Sequence, residues 1–521
     1  MCDKRAGISY ILGAMGMVLI YTIYENAILP EGENAFLKGG APFPKQVESA
    51  SSDLIDDTSP DSVRFEASEA GVRRELKERL TDVRTRLKNV KTLLEEREEE
   101  LKISKNMMKL ALKHKTSVDR LIQKFKEVLL TNRTFAIGVV GGSISVGVGV
   151  NGTPGIYATT LKYYMKKMLG SQVTVENGAI GATNSYYYGY CYETHCNVRT
   201  TDLLLWEFAY NDAGYPDGYL GQERLTRMIL ADLPNKPQLI YTNFLAGREI
   251  SRHTCVDGER YGSVPLSEYY DVPSISLPDA VCKQVKGDKA DYLRSPDDDN
   301  HPGRNAHDMV AVFLAELIKE ALIEAIEILE ENLSEGTSIL KSIRQDFKNW
   351  DDEEPNQKYL PPVLFNTTAI THPQCWTLMG SEHRPPEMTL VPRHNVGWIK
   401  FILQKKDYRS DLKRLWRTLQ PEAFLEFTIN IAPYKDLNST IAITTITCER
   451  HKCGRAKVFL DDEYLTMIDC LHNYLITVVH EVAFNVQPGR HVLKIVTIDG
   501  EGFGIASVST AYEIPKEEPG E

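Results

Sequence analysis

Four short segments carry the residue types that acyl transfer requires. They are Gly141-Gly142-Ser143-Ile144-Ser145, Asn177-Gly178-Ala179-Ile180-Gly181, Tyr210-Asn211-Asp212 and Asp298-Asp299-Asn300-His301-Pro302. Together they supply a serine as nucleophile, a histidine to take its proton, and an aspartate to orient the histidine. They also supply donors for the charge that develops on a carbonyl oxygen. Taken singly, each has a plainer reading: Gly-Gly-Ser is common after strands, Asn-Asp is a frequent turn, and a histidine before proline is often only a loop residue. The signal lies in their joint occurrence, in this order.

The flanking sequence places each segment where such chemistry is built. Residues 134–140 form a continuous apolar, β-branched run of the kind buried in a parallel sheet. Ser143 follows it, opening a segment whose first N–H groups are free to point outward. Further buried strands are predicted over 172–175, 202–208, 238–244 and 273–277, with helices over 156–169, 220–230 and 308–332. Strands alternating with helices imply a mostly parallel, doubly wound α/β sheet that binds ligands at the carboxyl ends of its strands. Ser143, Gly181 and Asn211 all fall just past such ends.

These segments resemble the sequence blocks of the SGNH (GDSL-type) hydrolases over residues 133–332. The resemblance implies a flavodoxin-like, three-layer α/β/α domain with Ser143 as nucleophile, His301 as general base and Asp298 as its orienting partner. It further implies an oxyanion hole made by the N–H groups of Ser143 and Gly181 and the side-chain amide of Asn211. Two positions depart from the pattern: Gly142 stands where the family has aspartate, and Ala209 where the third block often starts with glycine. Neither holds a catalytic role. A literal G-x-G-x-x-G runs from Gly147 to Gly152, but it starts well past the strand and no acid suited to a ribose follows. A dinucleotide site is therefore not predicted, and no cofactor or metal is expected.

The N-terminus sets the expected cellular context. Lys4 and Arg5 precede an uncharged, mainly apolar stretch over residues 8–24. Positive charge on the near side predicts a cytosolic tip (1–7), a transmembrane signal anchor (8–24) and a lumenal or extracellular body. An uncleaved anchor is favoured over a cleaved signal peptide because no small-x-small site stands out after the stretch. Eight of the nine cysteines then lie beyond the membrane, consistent with disulfides, and the close pairs 191/196 and 448/453 are the preferred bridges. Zinc on Cys448, Cys453 and His451 is a poorly spaced alternative. Sequons at Asn132, Asn151, Asn332, Asn366 and Asn438 fit a glycoprotein of the secretory route, in the Golgi, the ER or at the cell surface.

Domain organisation follows from composition. Residues 25–65 are rich in Pro, Ser and acidic residues and read as a disordered linker. Over 66–130, Leu76, Leu80, Val83, Leu87, Val90 and Leu94 repeat at 4-3-4-3-4 spacing, a heptad seam. That predicts a coiled-coil stalk, a parallel homodimer, and a spacer of roughly 90 Å. The hydrolase domain is placed at 131–335 and a linker at 336–364. Over 365–514, short alternating strands at 424–431, 441–446, 457–460, 474–479 and 491–497 predict an antiparallel β-sandwich. An acidic tail closes the chain at 515–521.

At 521 residues the chain is long enough for two cores. A net charge of −12, without a basic patch interleaved with aromatics, argues against a nucleic-acid partner. The expected activity is that of a membrane-anchored, lumenal serine esterase or acyltransferase acting on O-acyl, above all O-acetyl, groups of carbohydrate. The rival expectation is a catalytically idle glycan-binding or scaffold protein that keeps the same fold.

Overall fold

The structure is a computed structural model. It describes residues 60–150, 155–170, 173–213, 218–233, 235–255, 258–335, 360–365, 367–380, 386–402, 414–449, 453–472, 476–499 and 502–514. The expected membrane span, most of the 25–65 linker, the acidic tail, Asn151 and Asn366 lie outside these residues. Among the described residues no helix is long and apolar enough to cross a membrane.

Five strands form one parallel sheet: β1 (Phe135–Gly141), β2 (Val173–Asn177), β3 (Leu203–Glu207), β4 (Gln238–Asn243) and β5 (Ser274–Ser276). Their order, β2-β1-β3-β4-β5, is that of a flavodoxin-like sheet. The helices are α1 (Pro60–Glu100), α2 (Lys105–Ala111), α3 (Asp119–Thr131), α4 (Ser143–Val146), α5 (Tyr157–Leu169) and α6 (Ser185–His195). They continue with α7 (Ala209–Ala213), α8 (Gly218–Ala231), α9 (Gly247–Ser251), α10 (Ser263–Tyr270), α11 (Leu277–Lys286) and α12 (Arg304–Ser334). Strand alternation sorts them into layers. Leu203 and Leu205 of β3 pack with α3, α5 and α12, whereas Leu204 and Trp206 pack with α6 and α8.

The expected coiled-coil stalk is not what the structure forms. The helix is present, but Leu76, Leu80, Val83, Leu87, Val90 and Leu94 are buried in the same core as α3, α5 and α12. Polar side chains flank this packing: Arg84 pairs with Glu330 and Arg97 with Asp308 at 2.5 Å, so α1 runs antiparallel along α12. A 3-4 repeat needs an apolar partner helix and does not specify whether that partner comes from another chain. Here the chain supplies its own, which leaves the seam unavailable for a parallel homodimer. The helix also begins at Pro60, inside the stretch expected to be disordered, and ends at Glu100 instead of continuing to residue 130.

The C-terminal region is an antiparallel β-sandwich. Its strands are β6 (Ile370–Thr377), β7 (His394–Val396), β8 (Ile399–Ile402), β9 (Arg414–Thr418), β10 (Phe424–Ile431), β11 (Ser439–Ile446) and β12 (Cys448–Glu449). They continue with β13 (Arg455–Leu460), β14 (Glu463–Asp469), β15 (Leu471–His472), β16 (Thr477–Val486), β17 (Gly489–Thr497) and β18 (Phe503–Glu513). One sheet runs β14-β13-β17-β10-β7 and the other β16-β11-β18-β9-β8, with β6 paired to β18. Ile429, Ile443, Val458, Leu493 and Ile495 fill the space between them. The second sheet turns its other face, through Ile370, Leu415, Ala442 and Ala506, onto the α6 and α8 layer of the α/β unit. The end of the expected linker, residues 361–364, and Phe365 just after it are held on that unit: Tyr269 donates to Pro362 O at 2.8 Å, and Glu223 accepts from Phe365 N at 2.8 Å.

The disulfides differ from the expected close pairs. Cys191 of α6 bridges to Cys375 of β6, and Cys255 bridges to Cys282. Five residues along a helix is about 500° of rotation, so residues 191 and 196 leave in different directions. Cys196 turns instead toward β1 beneath Gly138 and remains a buried thiol, pushed up to about 12 by burial. The side chain of Cys448, and with it the expected 448/453 bridge, lies outside the described residues.

Candidate active site

β1 ends at Gly141, and the chain turns through Gly142 into the single turn of α4 with Ser143 as its first residue. The turn is tied to the neighbouring strand, since Gly142 N donates to Glu207 O at 3.1 Å. Gly147, at φ +99°, closes the turn in the left-handed region that glycine occupies without strain. Ser143 is half-buried, and among the described residues its N–H has no acceptor.

His301 arrives on the loop that leads into α12. Its Nε2 lies 2.7 Å from Ser143 Oγ, and its Nδ1 lies 2.8 Å from Asp298 Oδ2. Asp298 is braced from the other side, accepting from Asn300 N at 2.7 Å. Burial alone would raise the Asp298 carboxyl, but that amide and His301 outweigh it and hold the carboxyl below its usual range. A carboxylate only accepts, so Nδ1 carries the proton and Nε2 is left to accept from the serine hydroxyl. Gly149, at φ +91°, lets this loop approach: a Cβ there would stand 2.7 Å from Pro302 O and 2.8 Å from His301 Cβ. Gly247 N donates to Asn300 O at 3.1 Å and fixes the opposite flank.

The two remaining sequence-predicted residues close the site. Gly181 follows β2 in a loop held to the sheet by Gly178 N to Val139 O (2.9 Å) and Ile180 N to Gly141 O (3.1 Å). Among the described residues no acceptor takes the Gly181 N–H. Asn211, on α7 just past β3, donates through Nδ2 to Thr183 O at 2.5 Å. An amide nitrogen has two hydrogens, so one bond leaves the second available. Gly142 explains why no side chain precedes Ser143: a Cβ there would lie 2.5 Å from Asn211 Nδ2.

Beneath the serine lies a buried network that the sequence reading missed. Glu207, the last residue of β3, accepts from both N and Oγ of Ser145 at 3.2 Å, and Ser145 Oγ contacts Tyr157 Oη at 2.9 Å. Burial pushes the Glu207 carboxyl up to about 8 and the neighbouring Asp212 carboxyl up to about 7. Asp212 accepts from Ser185 N at 3.0 Å and from Gln222 at 2.8 Å. His307 is a different histidine from the one at the serine: burial first, then the nearness of His301, lowers it to about 3, and it accepts from Tyr157 N at 3.3 Å. The available signal was a lone acid at the end of the otherwise apolar strand segment Leu203-Leu204-Leu205-Trp206-Glu207.

No protein-family profile and no curated protein matches the chain. Among solved structures, it is similar to a two-domain esterase (CEX) active on acetylated mannans, co-crystallised with mannopentaose. The two share 15% identity over 77% of this chain and 96% of that one, with a TM-score of 0.54. A second structure of a two-domain esterase of that description gives 14% identity over the same shares and a TM-score of 0.50. The chain thus shares the two-domain fold of these structures, an α/β unit followed by a C-terminal β-sandwich.

Proposed function

We propose that this chain is a serine ester hydrolase of the SGNH type that removes O-acetyl groups from carbohydrate through Ser143, His301 and Asp298. The observation that carries the reading is the unbroken relay from Asp298 Oδ2 through His301 to Ser143 Oγ, at 2.8 and 2.7 Å. In this mechanism Ser143 Oγ attacks the ester carbon while His301 Nε2 takes its proton, and the Asp298 carboxylate stabilises the imidazolium that results. The N–H groups of Ser143 and Gly181 and the free hydrogen of Asn211 Nδ2 receive the oxyanion. As the ester C–O bond breaks, His301 returns the proton to the leaving sugar oxygen. Water, activated by the same histidine, then releases acetate and restores Ser143.

Carbohydrate as substrate is supported by the architecture shared with an esterase active on acetylated mannans. Residues 8–24 would tether the enzyme with its body in the secretory lumen. The bridges Cys191–Cys375 and Cys255–Cys282 support that setting, since disulfides persist in oxidising compartments. The test is to incubate the detergent-solubilised full chain with p-nitrophenyl acetate and with acetylated mannan, with and without a sugar acceptor. Release of p-nitrophenol and acetate is expected. Acetyl transfer to the acceptor would make the enzyme a transferase, and no turnover of either ester would contradict the reading.

A further inference from the structure

We propose that the β-sandwich is a positioning element of the catalytic centre, holding the Gly181 loop in place through Thr477. This rests on the reading of Gly181 and Asn211 as oxyanion donors.

The loop from Gly178 to Asn184 has two sides. Its inner side is bonded to β1, as described above. Its outer side is bonded to the other domain: Thr477 N, at the first residue of β16, donates to Ala182 O at 3.0 Å, and Asn184 Nδ2 donates to Thr477 O at 3.2 Å. Both backbone polar groups of one sandwich residue are thus taken up by residues one and three positions beyond Gly181. The intervening residue, Thr183, presents the carbonyl that orients Asn211. Thr477 therefore sits behind both donor groups at once.

The clamp adds to the loop's own turn, in which Thr183 N and Oγ1 both donate to Ile180 O. Ala182 has φ +57°, a left-handed conformation that costs a non-glycine residue about 1–2 kcal/mol and persists only when neighbours impose it. Thr477 is well suited to impose it: it is 2% exposed and paired in register with Ile446 of β11, in the sheet that packs on the α/β unit. The surrounding interface is tied by a covalent bond and by buried polar pairs. Cys191–Cys375 joins α6, which starts directly after the loop, to β6. Tyr190 of α6 donates to Glu481 at 2.6 Å, and buried Arg224 of α8 pairs with the same carboxylate. Asn184 Oδ1 meanwhile caps α6 by accepting from Tyr187 N at 3.0 Å, so its side chain links helix, loop and sandwich. Oxyanion donors act only when held in place before charge develops, so loosening this clamp raises the transition state more than it weakens ground-state binding.

Two variants test this in the full chain, with p-nitrophenyl acetate as substrate. Thr477→Pro removes the N–H given to Ala182, at the first residue of a strand, where proline is tolerated. Asn184→Ser keeps a helix cap but loses the reach to Thr477. Each is expected to lower kcat tenfold or more with KM changed less than twofold and the melting temperature within a few degrees of wild type. The double variant should be little worse than Thr477→Pro alone. Should Thr477→Pro fail to fold, Asn184→Ser carries the same test. Folded variants that keep kcat within threefold of wild type would overturn the proposal, as would a rise in KM at unchanged kcat, which would make the sandwich a substrate-binding surface. A wild-type chain inert to the ester and to a fluorophosphonate probe would overturn the catalytic reading, and this inference with it.

Discussion

Glu207 accepts both the backbone N–H and the hydroxyl of Ser145, two residues beyond Ser143, while its own carbonyl accepts from Gly142 N. One residue of β3 thereby grips the turn on either side of the serine. Burial pushes that carboxyl up to about 8, while the bonds it accepts from Ser145 pull the other way.

A pH dependence follows. The folded Glu207 carboxyl titrates at about 8, above the ordinary value of 4.5, so folding binds its proton more tightly than the unfolded chain does. Its contribution is fully present below about pH 4.5, falls as pH rises toward 8, and is level beyond. At about 1.4 kcal/mol per unit the loss amounts to a few kcal/mol. Glu207→Gln keeps an acceptor for Ser145 without the titration. Melting temperatures at pH 5 and pH 8 should differ more in wild type than in Glu207→Gln, and an equal difference would contradict this account of the carboxyl.

Gly142→Ala tests the contact with Asn211. The backbone at 142 is not strained, so the variant should fold, but its Cβ needs space occupied by Asn211 Nδ2. Removing one oxyanion donor costs roughly 10²–10³ in kcat. Steady-state kinetics should show kcat for p-nitrophenyl acetate falling toward that range for Gly142→Ala and reaching it for Asn211→Ala. KM should be little changed in both, and a change confined to KM would assign Asn211 to ground-state binding.

The heptad residues of α1 support their own domain. Leu87→Ala should cost about 2–5 kcal/mol, as a core truncation does. Sedimentation of the detergent-solubilised full chain should show the same oligomeric state for wild type and Leu87→Ala. Dissociation of a wild-type dimer by Leu87→Ala would restore the coiled-coil stalk.

What the sequence made legible, and what it did not, divides along a physical line. Ser143, Gly181 and Asn211 could be read because each follows a buried strand, and His301 with Asp298 because the pair sits in one short turn. The flavodoxin-like sheet could be read for the same reason, since strand and helix periods are local. The α1 seam was visible as a helix face, but the spacing of Leu76 to Leu94 is indifferent to which helix covers it. Strand β18 was missed because it is buried along nearly its whole length, between the opposite sheet and the α6 layer, so its polarity does not alternate. Glu207 and Thr477 were missed because their roles depend on residues far apart in sequence. Thr477 lies 295 positions from Ala182, and no local pattern marks it.

The most direct measurement is fluorophosphonate labelling combined with turnover of p-nitrophenyl acetate in wild type and in Ser143→Ala. Wild type should be labelled at Ser143 and hydrolyse the ester. Ser143→Ala should be folded, unlabelled, and slower by many orders of magnitude, on the order of 10⁶ in a well-studied serine hydrolase. Activity within tenfold of wild type in Ser143→Ala, or labelling at another serine, would contradict the relay from Asp298 through His301 to Ser143 as the catalytic centre.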